Sequence, residues 1–200
     1  MDNITNACRS GADLVQLRLK NVAHETLLKT AEKAREITDH YHARFILNDH
    51  YKIAKAVKAD GVHLGKSDAC PLEARKHLYS WQLIGGTANT NQDCMALIEI
   101  KVDYIGLGPF RLTSTKTNLS PILGLDGYKN LLQSLGIEIP IIAIGGITIK
   151  DVPESINTGV YGIVISKEIT KNFTKIKLFQ ELLGISKLEE EIYTTNQNLI

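Results

Sequence analysis

The heptapeptide KADGVHL, residues 58–64, decides the fold because similar stretches recur along the chain. They are GADLVQL at 11–17, KVDYIGL at 101–107 and GVYGIVI at 159–165. Each ends in a short apolar run that is too brief for a helix and is typical of a buried strand. The recurrence indicates one structural unit that the chain uses repeatedly.

Seven apolar runs are predicted to be strands. They cover Asp13–Leu19, Arg44–Leu47, Gly61–Leu64, Gln82–Gly85, Tyr104–Gly108, Ile139–Ile144 and Gly162–Ser166. Between them, three segments place apolar residues on one face and are predicted to be helices: His24–His40, Tyr51–Ala59 and Asn91–Ile100. Alternating strands and helices indicate an α/β fold with parallel strands. Their number and spacing favour a (β/α)8 barrel of the TIM type, in one domain over residues 1–200 with a polar tail from about residue 187.

The composition restricts the classes of partner. The 200 residues carry 23 basic and 22 acidic side chains, a net charge of +1, so nothing in the charge favours nucleic acid or an anionic membrane. Cys8, Cys70 and Cys94 are widely spaced, as expected for reduced thiols in the cytoplasm. No stretch is apolar enough to span a membrane and the N-terminus has no signal core, so a cytoplasmic location is expected.

In such a barrel, functional side chains follow the C-terminal ends of the strands. After the first run, Gln16, Arg18 and Lys20 share one face because side chains alternate along a strand. Two cations at the barrel mouth need an anion, which favours a bound ligand. A structural ion-pair cluster with neighbouring carboxylates is the alternative.

Two aspartates follow the second and third runs. Asp49 comes directly after Asn48, and Asp68 follows the third run by four residues. Carboxylates on neighbouring strand ends can share Mg²⁺, which accepts one or two of them and takes its other ligands from water and phosphate. Each aspartate alone is also a good helix cap, so capping stays the alternative.

The later strand ends carry groups suited to phosphate. Gly145-Gly146 follows the sixth run and Ser166 ends the seventh, the positions where barrels bind phosphate through backbone amides. After the fifth run, Thr113, Ser114, Thr115 and Lys116 gather three hydroxyls and an amine, all donors to phosphate oxygens. A tight turn at the glycines and a polar surface loop at 113–116 are the structural alternatives.

These segments, taken in order, resemble the thiamine phosphate synthase family. The resemblance runs from about residue 3 to residue 179 and rests on VQLRLK at 15–20, ILNDH at 46–50, ADGVHLGKSD at 59–68, DYIGLGPF at 103–110, TSTK at 113–116, AIGGIT at 143–148 and GIVIS at 162–166. It implies condensation of hydroxymethylpyrimidine diphosphate with thiazole phosphate, with release of pyrophosphate.

The resemblance also implies roles for individual residues. Gln16 would contact the pyrimidine, and Thr87 stands where serine is usual in that family's substrate site. The diphosphate would be held by Arg18, Lys20, Asn48 and Lys116, with Arg18 and Lys116 as the catalytic cations and Mg²⁺ on Asp49 and Asp68. The thiazole phosphate would be held by Thr113, Thr115, Gly146, Ile165 and Ser166.

Several positions depart from that pattern. Lys66, Leu112 and Asn89 stand where glutamine, proline and histidine are usual, and the first run matches the family's second strand. We therefore expect a barrel that lacks its first strand, with 1–10 as the preceding helix. Two other functions stay open: an isomerase of the related thiazole tautomerase branch, and a non-catalytic barrel that binds phosphate ligands. A homodimer is one assembly that the sequence leaves open.

Overall fold

The computed structural model describes residues 1–112, 121–136 and 139–184. Seven strands run through these residues: β1 Leu14–Leu17, β2 Arg44–Asn48, β3 Gly61–Leu64, β4 Leu83–Ala88, β5 Tyr104–Leu107, β6 Ile141–Ile144 and β7 Gly162–Val164. The helices are α1 Asp2–Arg9, α2 His24–His40, α3 Tyr51–Ala56, α4 Pro71–His77, α5 Asn91–Glu99, α6 Gly124–Leu135, α7 Val152–Asn157, α8 Lys167–Lys171 and α9 Lys175–Leu183. A 3-10 turn, Ile149–Asp151, precedes α7.

The strands form one parallel sheet in sequence order, β1 to β7. Helices alternate with strands, which confirms the predicted α/β class and a TIM-like architecture. Parallel order brings the C-terminal ends of all seven strands to one edge. In the described part of the chain β1 and β7 are the two ends of the sheet.

The two faces of the sheet differ in what they bury. One face packs on the helices through apolar side chains such as Leu47, Val62 and Ile105, against Leu27 and Ala34 of α2 among others. This packing removes apolar area from water and is the main source of stability. Alternation along the strands turns the polar Gln16, Asn48, His63 and Thr87 to the other face.

The recurrent aspartate before a strand has a structural role. Asp60 Oδ2 accepts the Phe45 N–H at 2.6 Å, and Asp103 Oδ2 accepts the Ile84 N–H at 2.6 Å. Each carboxylate also binds an arginine of a helix, Asp60 with Arg35 of α2 and Asp103 with Arg75 of α4. The aspartate of each KAD or KVD sequence therefore precedes a strand and connects it, through its carboxylate, to the neighbouring strand and to a helix.

The predicted elements agree with the structure at their centres and differ at their ends. α2 has the predicted bounds, whereas β4 continues to Ala88 beyond the predicted Gly85, so Thr87 lies within the strand. α3 ends at Ala56 because Lys58 adopts a left-handed backbone, φ 51°. The predicted tail from residue 187 lies outside the described residues. Within the described part of the chain, no helix is both long and apolar enough to cross a membrane.

Candidate active site

The ends of β1 and β2 bring together the first set of predicted site residues. Gln16 Nε2 donates to Asn48 Oδ1 at 3.1 Å, and Lys20 Nζ lies 3.5 Å from Asp49 Oδ2. Arg18 is exposed and forms no ion pair or hydrogen bond with another described residue. One cation of the pair is thus engaged by a carboxylate, while the other is available to a ligand.

Asp49 and Asp68 face each other at the ends of β2 and β3. Partial burial, a hydrogen bond to the Asp68 carboxyl and the charge of Asp68 raise the pKa of Asp49 to about 6, although Lys20 opposes the shift. Partial burial also disfavours ionisation of Asp68. The hydrogen bonds from Asp49 and from the Gly65 N–H at 2.5 Å outweigh that effect and lower the pKa of Asp68. Without a bound cation, the pair therefore holds a shared proton below about pH 6.

The backbone of Asp49 supports a functional reading of this pair. Its φ of 69° is left-handed, an uncommon conformation for a residue other than glycine. Its N–H donates to the His63 carbonyl at 3.0 Å, and its carboxylate accepts a hydrogen bond from Asn48 Nδ2. Backbone strain of this kind clusters at binding and catalytic sites.

The donor set fits Mg²⁺. No group of three or more histidine, cysteine, aspartate or glutamate side chains that could hold a metal ion occurs among the described residues. Mg²⁺ requires only one or two carboxylates when phosphate and water supply the remaining oxygens. Two adjacent carboxylates, one of which holds its proton unusually strongly, are a pair that a divalent cation would stabilise in the ionised form.

A histidine connects the middle strands on the polar face of the sheet. His63 Nε2 lies 2.9 Å from Thr87 Oγ1, and His63 Nδ1 lies 3.2 Å from the Tyr104 hydroxyl. The two rings are stacked with centroids 5.6 Å apart. Because a Cβ on Gly85 would lie 2.0 Å from the Tyr104 ring and one on Gly106 would lie 2.8 Å from the imidazole, glycine is required at both positions.

The turn after β6 consists of two glycines, whose backbone another group can approach closely. Gly145 and Gly146 both have a left-handed backbone, with φ of 92° and 78°. The register pairs Ile144 with Val164, which brings this turn beside Ile165 and Ser166 after β7. Within the described part of the chain, neither the Gly146 nor the Ile147 N–H donates a hydrogen bond to another residue. Two amides beside a serine hydroxyl are a suitable site for an anion.

An arginine after β5 contacts this turn. Arg111 forms a bidentate ion pair with Asp151, at 2.6 and 2.8 Å, and its Nη1 also donates to the Gly146 carbonyl at 2.9 Å. Asp151 accepts from the Thr148 N–H and hydroxyl as well. The hydrogen bond from Arg111, together with those from Thr148, lowers the pKa of Asp151 to about 2 despite partial burial.

The hydroxyl-rich loop lies outside the described residues. The chain is described up to Leu112 and again from residue 121. The roles expected for Thr113, Ser114, Thr115 and Lys116 therefore stay predictions.

Two groups of residues were missed by the sequence interpretation. The first is His63 with Tyr104. The alternation in GVHL could have indicated that His63 lies on the polar face of the sheet. The second is Arg111 with Asp151. The spacing Thr148-x-x-Asp151 is that of a helix-start box and could have located the aspartate, but nothing local pairs it with Arg111.

Parallel strands that alternate with helices define an α/β protein of TIM-like architecture, and its strand ends carry a carboxylate pair beside a lysine and a glycine turn beside a serine. The family described as thiamine monophosphate synthase matches residues 1–169, and the chain belongs to that family. The sequence-based recognition is thereby confirmed.

Individual relatives agree with this assignment. Thiamine-phosphate synthase of Flavobacterium johnsoniae is 46% identical over 183 residues, covering 90% of this chain and 86% of that protein. The Bacteroides fragilis thiamine-phosphate synthase is 40% identical over 188 residues, with 92% of each chain covered. The structure of thiamine phosphate pyrophosphorylase from Pyrococcus furiosus has a TM-score of 0.79 at 28% identity and covers 91% of this chain and 90% of that one. These similarities favour the synthase over the isomerase and the non-catalytic alternative.

Proposed function

We propose that the protein joins hydroxymethylpyrimidine diphosphate to thiazole phosphate, forming thiamine phosphate and releasing pyrophosphate with the help of Mg²⁺. The observation that carries the proposal is the meeting of Lys20, Asp49 and Asp68 at one strand edge, with the pKa of Asp49 raised to about 6. A carboxylate pair of this kind is suited to a metal that itself binds a diphosphate.

The diphosphate would lie against β1, β2 and β3. Asp49 and Asp68 would hold Mg²⁺, which when bound supplies positive charge to the departing pyrophosphate. Arg18 and Lys20 would bind the outer phosphate oxygens, and the exposure of Arg18 leaves its guanidinium accessible. Lys116 would add a cation from the loop after β5.

The pyrimidine would lie on the polar face of the sheet. Gln16 and Asn48 already share a hydrogen bond, so their amides are orientated before a ligand arrives. His63 Nε2 lies within hydrogen-bond distance of Thr87 Oγ1 and would fix this hydroxyl beside the bound pyrimidine ring. These contacts would place the exocyclic carbon of the pyrimidine near the diphosphate-binding cations.

The thiazole phosphate would lie at the C-terminal ends of β6 and β7. The Gly146 amide, together with Ile165, Ser166, Thr113 and Thr115, would hold its phosphate. Both substrates would then bind at the same edge of the sheet, where the strands have their C-terminal ends, and the bimolecular reaction becomes one between two held groups.

The chemistry requires no protein nucleophile. The carbon–oxygen bond between the pyrimidine methylene and the diphosphate breaks, and its electron pair leaves with pyrophosphate. The amino-pyrimidine stabilises the cation that develops, and the lone pair of the thiazole nitrogen forms the new carbon–nitrogen bond. The protein contributes fixed cations at the leaving group and the relative orientation of the two rings.

Three finer assignments accompany the proposal. β1 would correspond to the family's second strand, a correspondence supported by α1 preceding it and by β1 lying at one end of the sheet. A homodimer and a cytoplasmic location also stay predictions.

The test is to mix both substrates with Mg²⁺ and to measure pyrophosphate release and thiamine phosphate formation together. Equal amounts of the two products are expected, with no turnover when EDTA replaces Mg²⁺. Unchanged turnover in EDTA would contradict the metal assignment alone. Conversion of the thiazole substrate into an isomer, without pyrophosphate, would contradict the synthase assignment.

A further inference from the structure

Arg111 engages both carbonyl groups of the glycine turn after β6. Its backbone N–H donates to the Gly145 carbonyl at 3.0 Å, and its Nη1 donates to the Gly146 carbonyl at 2.9 Å. Two successive peptide planes of the turn are therefore fixed by one residue of the preceding loop.

The planar trans peptide links these carbonyls to the amides that follow them. In a trans peptide the C=O and the N–H point in opposite directions. Because the Gly145 and Gly146 carbonyls point to Arg111, the N–H groups of Gly146 and Ile147 point away from it. Neither amide donates to another residue in the described ranges, so both stay available for an external acceptor.

The guanidinium is itself held from several sides. Asp151 binds it through both carboxylate oxygens, and the Phe110 ring lies 4.8 Å from its central carbon. An exposed ion pair alone contributes little, and the Arg111 side chain is 44% exposed. The bidentate geometry and the additional carbonyl bond distinguish this pair from an ordinary surface contact.

The glycine turn is shaped to receive this arginine. A Cβ on Gly146 would lie 2.6 Å from Arg111 Cγ, and one on Gly145 would lie 2.8 Å from Pro109 Cα. The chain between Pro109 and Arg111 therefore packs directly on the turn, at van der Waals distance from its backbone.

We infer that Arg111 is a positioning residue that presents the Gly146 and Ile147 amides to the phosphate of the thiazole substrate. The inference rests on the proposed function, since that function places the phosphate at this turn. Asp151 acts one step further away by fixing the guanidinium.

The test compares equilibrium binding of thiazole phosphate with that of the thiazole alcohol, which lacks the phosphate. The ratio of the two dissociation constants isolates the phosphate contribution from general damage to the site. In Arg111→Ala we expect the preference for the phosphorylated ligand to fall about tenfold, since charge-assisted contacts that order two amides are lost. Arg111→Lys and Asp151→Asn should show smaller losses.

Arg75→Ala is the matched control. Arg75 pairs with Asp103 and donates to the Gln82 carbonyl at 2.9 Å. These contacts match those of Arg111, but they lie at the N-terminal ends of the strands, away from the proposed site. Removal of Arg75 should lower the melting temperature and leave the ratio of dissociation constants unchanged. Ser166→Ala reports on the phosphate site independently of Arg111.

The outcomes separate the inference from the proposed site. A wild-type ratio in Arg111→Ala, with a reduced ratio in Ser166→Ala, would overturn the role of Arg111 and leave the phosphate site in place. Equal binding of phosphate and alcohol by the wild type would overturn both. If Arg111→Ala does not fold, the ratios in Arg111→Lys and Asp151→Asn decide by the same criterion.

Discussion

At the N-terminal ends of the strands, Asp60 and Asp103 each accept a hydrogen bond from a backbone N–H and bind an arginine. At the C-terminal ends, by contrast, Asp49 and Asp68 lie close enough for the charge of Asp68 to raise the pKa of Asp49. The first arrangement supplies each carboxylate with donors and a countercharge. The second places two anions together with one lysine, at a cost in free energy unless a proton or a cation joins them.

Under the proposed function, this difference separates residues that maintain the fold from residues that bind the metal and its substrate. Asp60 and Asp103, which are paired with arginines at the start of strands, stabilise the sheet whether or not a substrate is present. The pair at the other end is not optimised for stability, as is common for functional sites. Substitutions at the two ends should therefore have opposite consequences for activity and stability.

The largest expected effect is on turnover. Asp68→Asn and Asp49→Asn should each lower the turnover rate on the order of 100-fold, because the metal loses an anionic ligand next to the leaving group. In Asp49→Asn the free energy of unfolding at pH 7 should stay the same or rise, since the fold disfavours the ionised form of that carboxyl. Asp68→Asn should not gain stability, because the Gly65 N–H and the charge of Lys20 favour the Asp68 carboxylate. Steady-state kinetics and urea denaturation of the same samples check both halves, and wild-type rates at limiting Mg²⁺ would contradict the metal assignment.

The second largest expected effect is on stability, at the N-terminal ends of the strands. Asp103→Ala should lower the free energy of unfolding by about 2 kcal/mol, because the Ile84 N–H and Arg75 both lose their acceptor. Activity per folded molecule should be retained. Glu36→Ala, at an exposed position of α2, is the control for removing a surface carboxylate. A large loss of turnover in Asp103→Ala without loss of stability would break the division between the two ends.

The smallest expected effect is on the pH dependence of stability, at Asp151, which is paired with Arg111 near the C-terminal ends of the strands. The pKa of Asp151 is lowered from 3.8 to about 2, so its ionisation stabilises the fold above pH 4, and this contribution disappears as the pH falls toward 2. Asp151→Asn should be less stable than the wild type by about 1 kcal/mol at pH 7, after allowance for the exposure of Arg111. Denaturation curves should show this gap closing between about pH 4 and 2. A constant gap would contradict the ion pair.

The sequence predicted the strands well because each carries its own apolar pattern. It also located Asp49 and Asp68, since strand order in a parallel sheet determines which strand ends are neighbours. It could not give the Asp49 backbone conformation, the His63–Tyr104 stack or the Arg111–Asp151 pair. The stack and the ion pair depend on contacts between residues 40 or more positions apart, which no local pattern encodes.

Binding of pyrophosphate, measured by calorimetry with and without Mg²⁺, shows directly whether Asp49 and Asp68 hold the metal. We expect Mg²⁺ to tighten pyrophosphate binding to the wild type by more than about tenfold, and we expect Asp68→Asn to abolish this gain while Asp103→Asn keeps it. Equal affinity with and without Mg²⁺ in the wild type, or an undiminished gain in Asp68→Asn, would contradict the claim that this carboxylate pair holds the metal.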